Sequence, residues 1–356
     1  EYYWIFIGFF AAAAFLALPA KAGQTKVPLY DVVAAIVIFA VSFYFATNAW
    51  EMVQAGWSHL TLGIVVWLLM MELARRSGGL PFLLVVVLIG LYPLAANFFP
   101  GPIMGVPYEF GHMLESYIFR AEGMMGITTK IVAEIILGFL VFAGILLATG
   151  AGTFFIDLAN ASFGRYRGGP AKVAVVASAF MGSLSGSIFS NIAGTGSITI
   201  PTMKKAGYPS HYAGAIEACA STGGVVMPPV MGAIAFVMAI TIGVDYAVIM
   251  IAAILPSLLF YFGLILQVDA YAARTGIKGM PKEDLPSTRK VLKSGWPFLF
   301  VMVFLMWGLL YMRWEYYTPW YACILMIGLS FLRKETRLTP ARLFSALRQI
   351  GVLVTQ

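Results

Sequence analysis

The sequence predicts an all-α polytopic membrane protein, and three observations carry that prediction: composition, the length of the apolar runs and the placement of the cations. Sixty per cent of the 356 residues are apolar and 11% are charged, whereas a soluble domain carries about 25% charged residues. Apolar segments of roughly 17–25 residues are long enough to cross the hydrocarbon core as helices. Such segments fall near 2–19, 30–47, 59–74, 80–98, 130–156, 213–243, 247–268, 296–312 and 317–332.

The first run begins immediately after Glu1, with no methionine and no basic region ahead of it. It therefore does not read as a signal peptide, and residues upstream are expected. Residues 1–79 hold three spans, and 80–129 hold a fourth followed by PGPIMGVPYEFGHMLESYIFRAEG (100–123). That segment mixes apolar and acidic residues and suits the membrane interface. Trp296, Trp307, Trp314 and Trp320 have the character of interfacial anchors. Residues 130–340 hold the remaining spans, and 341–356 are amphipathic.

The net charge of +7 would suit a nucleic-acid binder if the cations were clustered on a soluble surface. They are sorted by side of the membrane instead. Lys21, Lys26, Arg75, Arg76, Arg165, Arg167, Lys172, Lys204 and Lys205 fall on one face with the cations of 274–293 and 333–348. Of the 23 basic residues, Arg120, Lys130 and Arg313 fall on the other. The positive-inside rule makes the cation-rich face cytoplasmic, and no nucleic-acid partner is expected. The sorting works only if the apolar stretch 171–200 enters and leaves from the same side, as a re-entrant hairpin.

Two polar interruptions lie inside apolar sequence. Backbone leaves helical geometry at membrane depth only where protein or a water-filled cavity satisfies it. The first interruption is Gly182-Ser183-Leu184-Ser185-Gly186-Ser187, followed by Asn191 and Gly194-Thr195-Gly196-Ser197. Its apolar arms, 171–181 and 188–200, are each too short to span. The second, Ser221-Thr222-Gly223-Gly224-Val225-Val226-Met227-Pro228-Pro229, lies near the centre of 213–243. Gly-Gly favours unwinding, and each proline removes a helix donor, so two half-helices joined by an open linker are expected. Freed carbonyls and hydroxyls can coordinate a hard cation, and half-helix N-termini can face an anionic group. Small residues and hydroxyls also serve plain helix packing in membranes, and either stretch alone could be that.

No other chemistry stands out. His59, His112 and His211 are scattered, no Ser/His/Asp cluster or P-loop is present, and no catalytic activity is expected. Cys219 and Cys323 sit in apolar runs, where free thiols behave as small buried hydrophobes. Glu72, Glu134, Asp157, Glu217 and Asp269 lie close to span ends, which leaves a carboxylate proton relay without an obvious carrier. Glu217, one turn before the second interruption, is the exception.

The blocks 148–208 (ATGAGTFFIDLANASFGRYRGGPAKVAVVASAFMGSLSGSIFSNIAGTGSITIPTMKKAGY), 217–239 (EACASTGGVVMPPVMGAIAFVMA) and 266–279 (LQVDAYAARTGIKG) resemble the fused membrane permease of TRAP transporters, of the TAXI-associated type. The first 100 residues resemble the small-subunit portion by hydropathy alone. The resemblance implies an elevator-type ion-transporter fold with two inverted repeats, each with a hairpin and a broken helix. It assigns 1–79 to small-subunit-like helices, 130–340 to the first half of the large subunit, and 341–356 to the start of a second repeat. It also implies a sodium-coupled symporter of small organic anions (carboxylates) in a bacterial or archaeal cytoplasmic membrane, served by a periplasmic substrate-binding protein. Carried over by motif, Ser183, Ser185, Gly186, Ser187, Ser221, Thr222, Gly223 and Gly224 would hold sodium. Ser187, Asn191, Thr195, Met227, Pro228 and Pro229 would line the substrate site. A second hairpin and broken helix are not seen before Gln356, so these residues alone are expected not to transport. A channel or passive pore, and a non-transporting scaffold subunit, are the competing readings.

Overall fold

The computed structural model describes residues 2–20, 27–51, 59–332, 336–339, 342–344, 347, 350 and 351, and among these there are helices and turns but no strand. The loop cations Lys21, Lys26, Arg333, Lys334 and Arg348 lie outside the described residues, as does most of the expected start of a second repeat. The chain divides into two compact units, one running to residue 133 and the other from residue 134.

The first unit contains α1 (Tyr2–Ala17), α2 (Leu29–Thr47), α3 (Leu60–Leu91), α4 (Phe110–Phe119) and α5 (Ile127–Ile131). Within α3, Gly79 has non-helical backbone (φ 75°, ψ −178°) and Pro81 follows it, so the two spans expected at 59–74 and 80–98 are helical stretches meeting at a kink. The second is shorter than expected, giving way at Tyr92 to short turns. Within the interfacial segment 100–123, Phe110–Phe119 fold as α4, which buries Met113, Leu114 and Ile118. Leu114 and Ile118 join a core built from Trp4, Phe15, Ile38, Phe45 and Val66.

A π-helical turn, Val132–Ile136, spans the division at 133–134 and runs into α6 (Leu137–Ala148) of the second unit. Here the expected 130–156 crossing is corrected. Gly150 adopts a left-handed conformation (φ 99°), which ends α6 and starts α7 (Ala151–Phe163). Glycine adopts that conformation without the Cβ clash other residues meet. Next come α8 (Gly169–Ser185), a reversal at Gly186 (φ 59°), and a return helix of α9 (Ile188–Asn191), a π-turn (Ile192–Gly196) and α10 (Ser197–Lys205). The chain continues as α11 (Ser210–Gly224), a non-helical linker over 225–232, α12 (Ala233–Ile242), α13 (Tyr246–Thr275), α14 (Thr288–Leu310) and α15 (Thr318–Ser330).

Among the described residues, five helical stretches are long and apolar enough to cross a membrane: Leu29–Thr47, Leu60–Leu94, Ile127–Ala148, Tyr246–Thr275 and Thr288–Leu310. They turn large apolar side chains outward, among them Leu88, Ile89, Leu255, Leu259, Phe262 and Val303. Water would penalise so continuous an apolar exterior, and lipid does not. By contrast α8 is buried along nearly its whole length. Its alanines at 171, 174 and 179 pack with Ala213 and Ala220 of α11 and with Val268 and Ala272 of α13. Small side chains let these backbones approach closely, and close packing is what holds helices together where no hydrophobic effect separates them from lipid.

Candidate functional site

The site is built where α8 and α11 end. The hairpin reverses at Gly186-Ser187, and Ser187 caps the return helix by accepting from the Ser190 N–H at 3.4 Å. Two glycines bring the arms of the site together upstream of that turn. A Cβ built on Gly182 would lie 2.5 Å from Gly224 Cα, and one on Gly224 would lie 2.5 Å from Gly182 Cα. At this crossing the hairpin and the first half-helix touch backbone to backbone.

Beyond the crossing the 225–232 linker wraps the hairpin tip. Val230 N–H donates to the Ser183 carbonyl at 3.0 Å, and Gly232 N–H closes the linker on the Val225 carbonyl at 2.7 Å. A Cβ on Gly186 would lie 2.1 Å from the Met231 carbonyl oxygen. The linker contains a cis Pro228–Pro229 bond, and Met231 has φ 56°. Buried Tyr246 fixes it from α13 by donating its hydroxyl toward the carbonyls of Pro229 (2.9 Å) and Val230 (2.5 Å). The C-terminal ends of α8 and α11 thus meet the N-terminal ends of the return helix and of α12. Helix C-termini present free carbonyls and partial negative charge, and N-termini present free N–H groups and partial positive charge.

Below the crossing lies a buried polar cluster centred on Glu217 of α11, which is fully buried together with Asn191, Thr195, Ser178 and Ser221. Ser178 of α8 donates to Glu217 Oε1 at 2.7 Å and Thr195 at 2.5 Å, while Thr199 of α10 donates to Oε2 at 2.5 Å. Ser221 approaches Oε1 at 3.4 Å. Asn191 Nδ2 donates to the Ser178 carbonyl at 2.8 Å, tying the two hairpin arms. Tyr261 of α13 donates to the Ala220 carbonyl at 2.8 Å. Among the described residues no group of His, Cys, Asp and Glu is arranged to hold a metal ion.

Most of the residues singled out in the sequence come together here, with adjustments. Ser221, Thr222, Gly223 and Gly224 remain helical, and the unwinding falls later, on 225–232. Gly223 and Gly224 are used for close approach, to Phe260 and to Gly182 respectively, and not for unwinding. Ser183 is buried and donates to the Phe180 carbonyl. Ser185 and Ser187 sit together at the tip, at 3.4 and 3.5 Å. Met227 and Pro228 are half-buried and Pro229 is buried. Thr222 is exposed on the opposite face of α11, where it donates to the Ala218 carbonyl. With Cys219, Phe260, Leu264 and Gln267 it lines a hollow of about 460 Å³. Cys219 is accordingly exposed, against expectation, and Cys323 is buried. Ser178, Thr199 and Tyr246 were not anticipated. The i, i+4 repeat Asn191, Thr195, Thr199 is the signal for three members of the cluster.

Fold and site together define a multi-pass membrane protein whose centre is assembled from interrupted helices. Residues 65–356 match the family described as the tripartite ATP-independent periplasmic transporter, DctM component, and the chain belongs to that family. It is 35% identical over 174 residues to the C4-dicarboxylate TRAP transporter large permease protein DctM of Pseudomonas aeruginosa, covering 47% of this chain and 39% of that one. It is 24% identical over 290 residues to the sialic acid TRAP transporter permease protein SiaT of Haemophilus influenzae, covering 78% and 43%. It is 26% identical over 226 residues to the ectoine/5-hydroxyectoine TRAP transporter large permease protein UehC of Ruegeria pomeroyi, covering 62% and 52%. The chain thus spans only about half or less of the length of these curated relatives.

Proposed function

We propose that this chain is the membrane component of a sodium-coupled secondary transporter. It imports small organic anions delivered by a periplasmic substrate-binding protein, by an elevator movement of the hairpin and broken helix. The observation that carries this reading is the convergence of four helix ends at Gly182–Ser187 and Gly224–Gly232. The C-terminal ends of α8 and α11, with the Ser185 and Ser187 hydroxyls, offer oxygen ligands to a hard cation such as sodium. The N-terminal ends of the return helix and α12 offer N–H groups to a carboxylate. This reading assigns Ser187, Asn191, Thr195, Met227, Pro228 and Pro229 to the substrate side. Gly186, Ser183, Ser221, Gly223 and Gly224 shape the cation side, and Thr222 contributes through its backbone.

The same reading takes the chain as the TAXI-associated, fused kind, with 1–79 as the small-subunit-like part and 130–340 as the first repeat of the large part. It places the protein in a bacterial or archaeal cytoplasmic membrane with the cation-rich loops inside. The names of the relatives span dicarboxylates, a sialic acid and ectoines, so the substrate is proposed by class. The test is uptake of labelled carboxylates into liposomes holding the full-length permease, with its binding protein, with and without an inward sodium gradient. Saturable uptake that needs both sodium and the binding protein, and falls at least tenfold in Ser185→Ala, is expected. Uptake indifferent to sodium and to the binding protein would overturn the reading in favour of a passive pore.

A further inference from the structure

The Glu217 cluster contains more hydrogen-bond acceptors than its hydroxyl protons can serve at once. Thr195 Oγ1 has one proton and two close acceptors, Glu217 Oε1 at 2.5 Å and the Asn191 carbonyl at 2.8 Å. Thr199 Oγ1 likewise faces Glu217 Oε2 at 2.5 Å and the Thr195 carbonyl at 3.1 Å. Ser178 Oγ faces Glu217 Oε1 at 2.7 Å and Thr195 Oγ1 at 3.0 Å. With Glu217 ionised, all three hydroxyls point at the carboxylate, which accepts but cannot donate. With Glu217 protonated, its own O–H donates to Thr199 Oγ1, and Thr199 turns its proton to the Thr195 carbonyl. Thr195 can turn in the same way to the Asn191 carbonyl. Either charge state is then satisfied without moving a heavy atom.

No compensating cation fixes the ionised form. Among the described residues, no ion pair includes Glu217. On α8, Lys172 pairs with Asp269 of α13. Lys204 and Lys205 on α10 and His211 on α11 are exposed, as is Cys219 on the far face of α11. The return helix from Ile188 to Gly196 carries no titratable side chain. From α13 the titratable group facing Glu217 is Tyr261, whose hydroxyl is held by the Ala220 carbonyl. Gly196 leaves room for the carboxyl stem, since a Cβ there would sit 3.0 Å from Glu217 Cγ. A structural carboxylate buried this deeply is normally paired with a cation. This one is held by neutral hydroxyls from both hairpin arms and from its own helix.

We propose that Glu217 is a proton-binding site within the hairpin and first half-helix. Its assignment to the transport cycle rests on the transporter reading above, but the site itself can be tested without transport. The purified full-length permease in nanodiscs is titrated from about pH 9 to about pH 4, a range that covers the perturbed carboxyls known from protein interiors. Infrared difference spectroscopy follows the C=O stretch of a protonated carboxyl. A band that appears as pH falls and is missing from Glu217→Gln is expected. Ser178→Ala, which removes a donor to the ionised form at Oε1 and leaves Thr199 Oγ1 to accept from the protonated form, should raise the midpoint by about one pH unit or more, the worth of a single charge-assisted hydrogen bond. If Glu217→Gln fails to fold, the Ser178→Ala shift carries the test. Wild-type spectra that superimpose on those of Glu217→Gln, or a midpoint unmoved by Ser178→Ala, would overturn the proposal. Sodium-dependent uptake measured in parallel would still stand or fall separately.

Discussion

Gly182→Ala adds one methyl group at the backbone crossing, and its cost can be worked from the geometry. The new Cβ would sit 2.5 Å from Gly224 Cα and 2.8 Å from Asn191 Nδ2. The first falls roughly 1 Å short of normal carbon–carbon contact, and a main-chain atom cannot rotate away as a side chain would. Overpacking of this kind costs about 1–3 kcal/mol, and the absence of a rotamer escape places this site toward the upper end. Displacing Asn191 from the Ser178 carbonyl loses about 1 kcal/mol more. Alanine regains about 1 kcal/mol of helix propensity, which leaves a net destabilisation of about 3 kcal/mol. Gly214→Ala is the matched control, since it lies on α11 with nothing within 4 Å of its Cβ. In a Cys219→Ala background, buried Cys323 reports unfolding by its reaction with a thiol-reactive fluorophore on heating. Gly182→Ala should melt below the parent, and Gly214→Ala at or above it. Equal melting of the two variants would refute the claim that α8 and α11 meet backbone to backbone.

Other outcomes follow from the same structure. Arg76, nearly buried, pairs with buried Asp31 at 2.5 Å and with Glu72 at 2.9 Å. Arg76→Met should cost roughly 3–5 kcal/mol by stranding buried Asp31, and the double change Asp31→Leu/Arg76→Met should recover most of it; chemical unfolding of the wild type, the two single variants and the double variant measures this. Tyr246→Phe removes the hydroxyl that holds the Pro229 and Val230 carbonyls, which should destabilise by about 1–2 kcal/mol and lower the melting temperature while membrane insertion is retained. Glu315, in the turn before α15, has its carboxyl pushed above the ordinary glutamate range, first by burial, against the Tyr246 N–H that stabilises its ionised form and with the nearby Asp245 adding to the rise. Its ionised form is therefore disfavoured on folding, so stability should fall as pH rises from the unfolded value of about 4.3 through the raised folded value. Melting of Glu315→Gln should lack that component and match the wild type at low pH.

The spans and both interruptions were legible because each has a local cause. Long apolar runs can only be satisfied in lipid as helices, and a glycine-serine tip or a Pro-Pro pair prevents a helix from continuing. What was not legible depends on partners far away in sequence. The Gly223-Gly224 pair reads as a helix breaker, yet with Phe260 and Gly182 against it it is the place where neighbours come closest. Gly150 sits inside an unbroken apolar run, so nothing in hydropathy marked its left-handed turn. Thr222 and Ser221 are adjacent and chemically alike, but the 100° step between them sends one hydroxyl to the hollow beside Phe260 and the other to Glu217. Ser178, the lone hydroxyl of its apolar arm, gains its meaning only from a carboxylate 39 residues away.

The Gly182–Gly224 crossing also limits how such a site can diverge. A contact made of main chain has no side chain to vary, so substitution there adds bulk without offering a new shape. Variation in what the site accepts must then fall on positions that border the crossing and still carry side chains, such as Val225, Val226 and Met227 on the linker and Phe189 and Ser190 on the return arm. The crossing acts as a fixed pivot of sequence change, with the adjustable surface arranged around it.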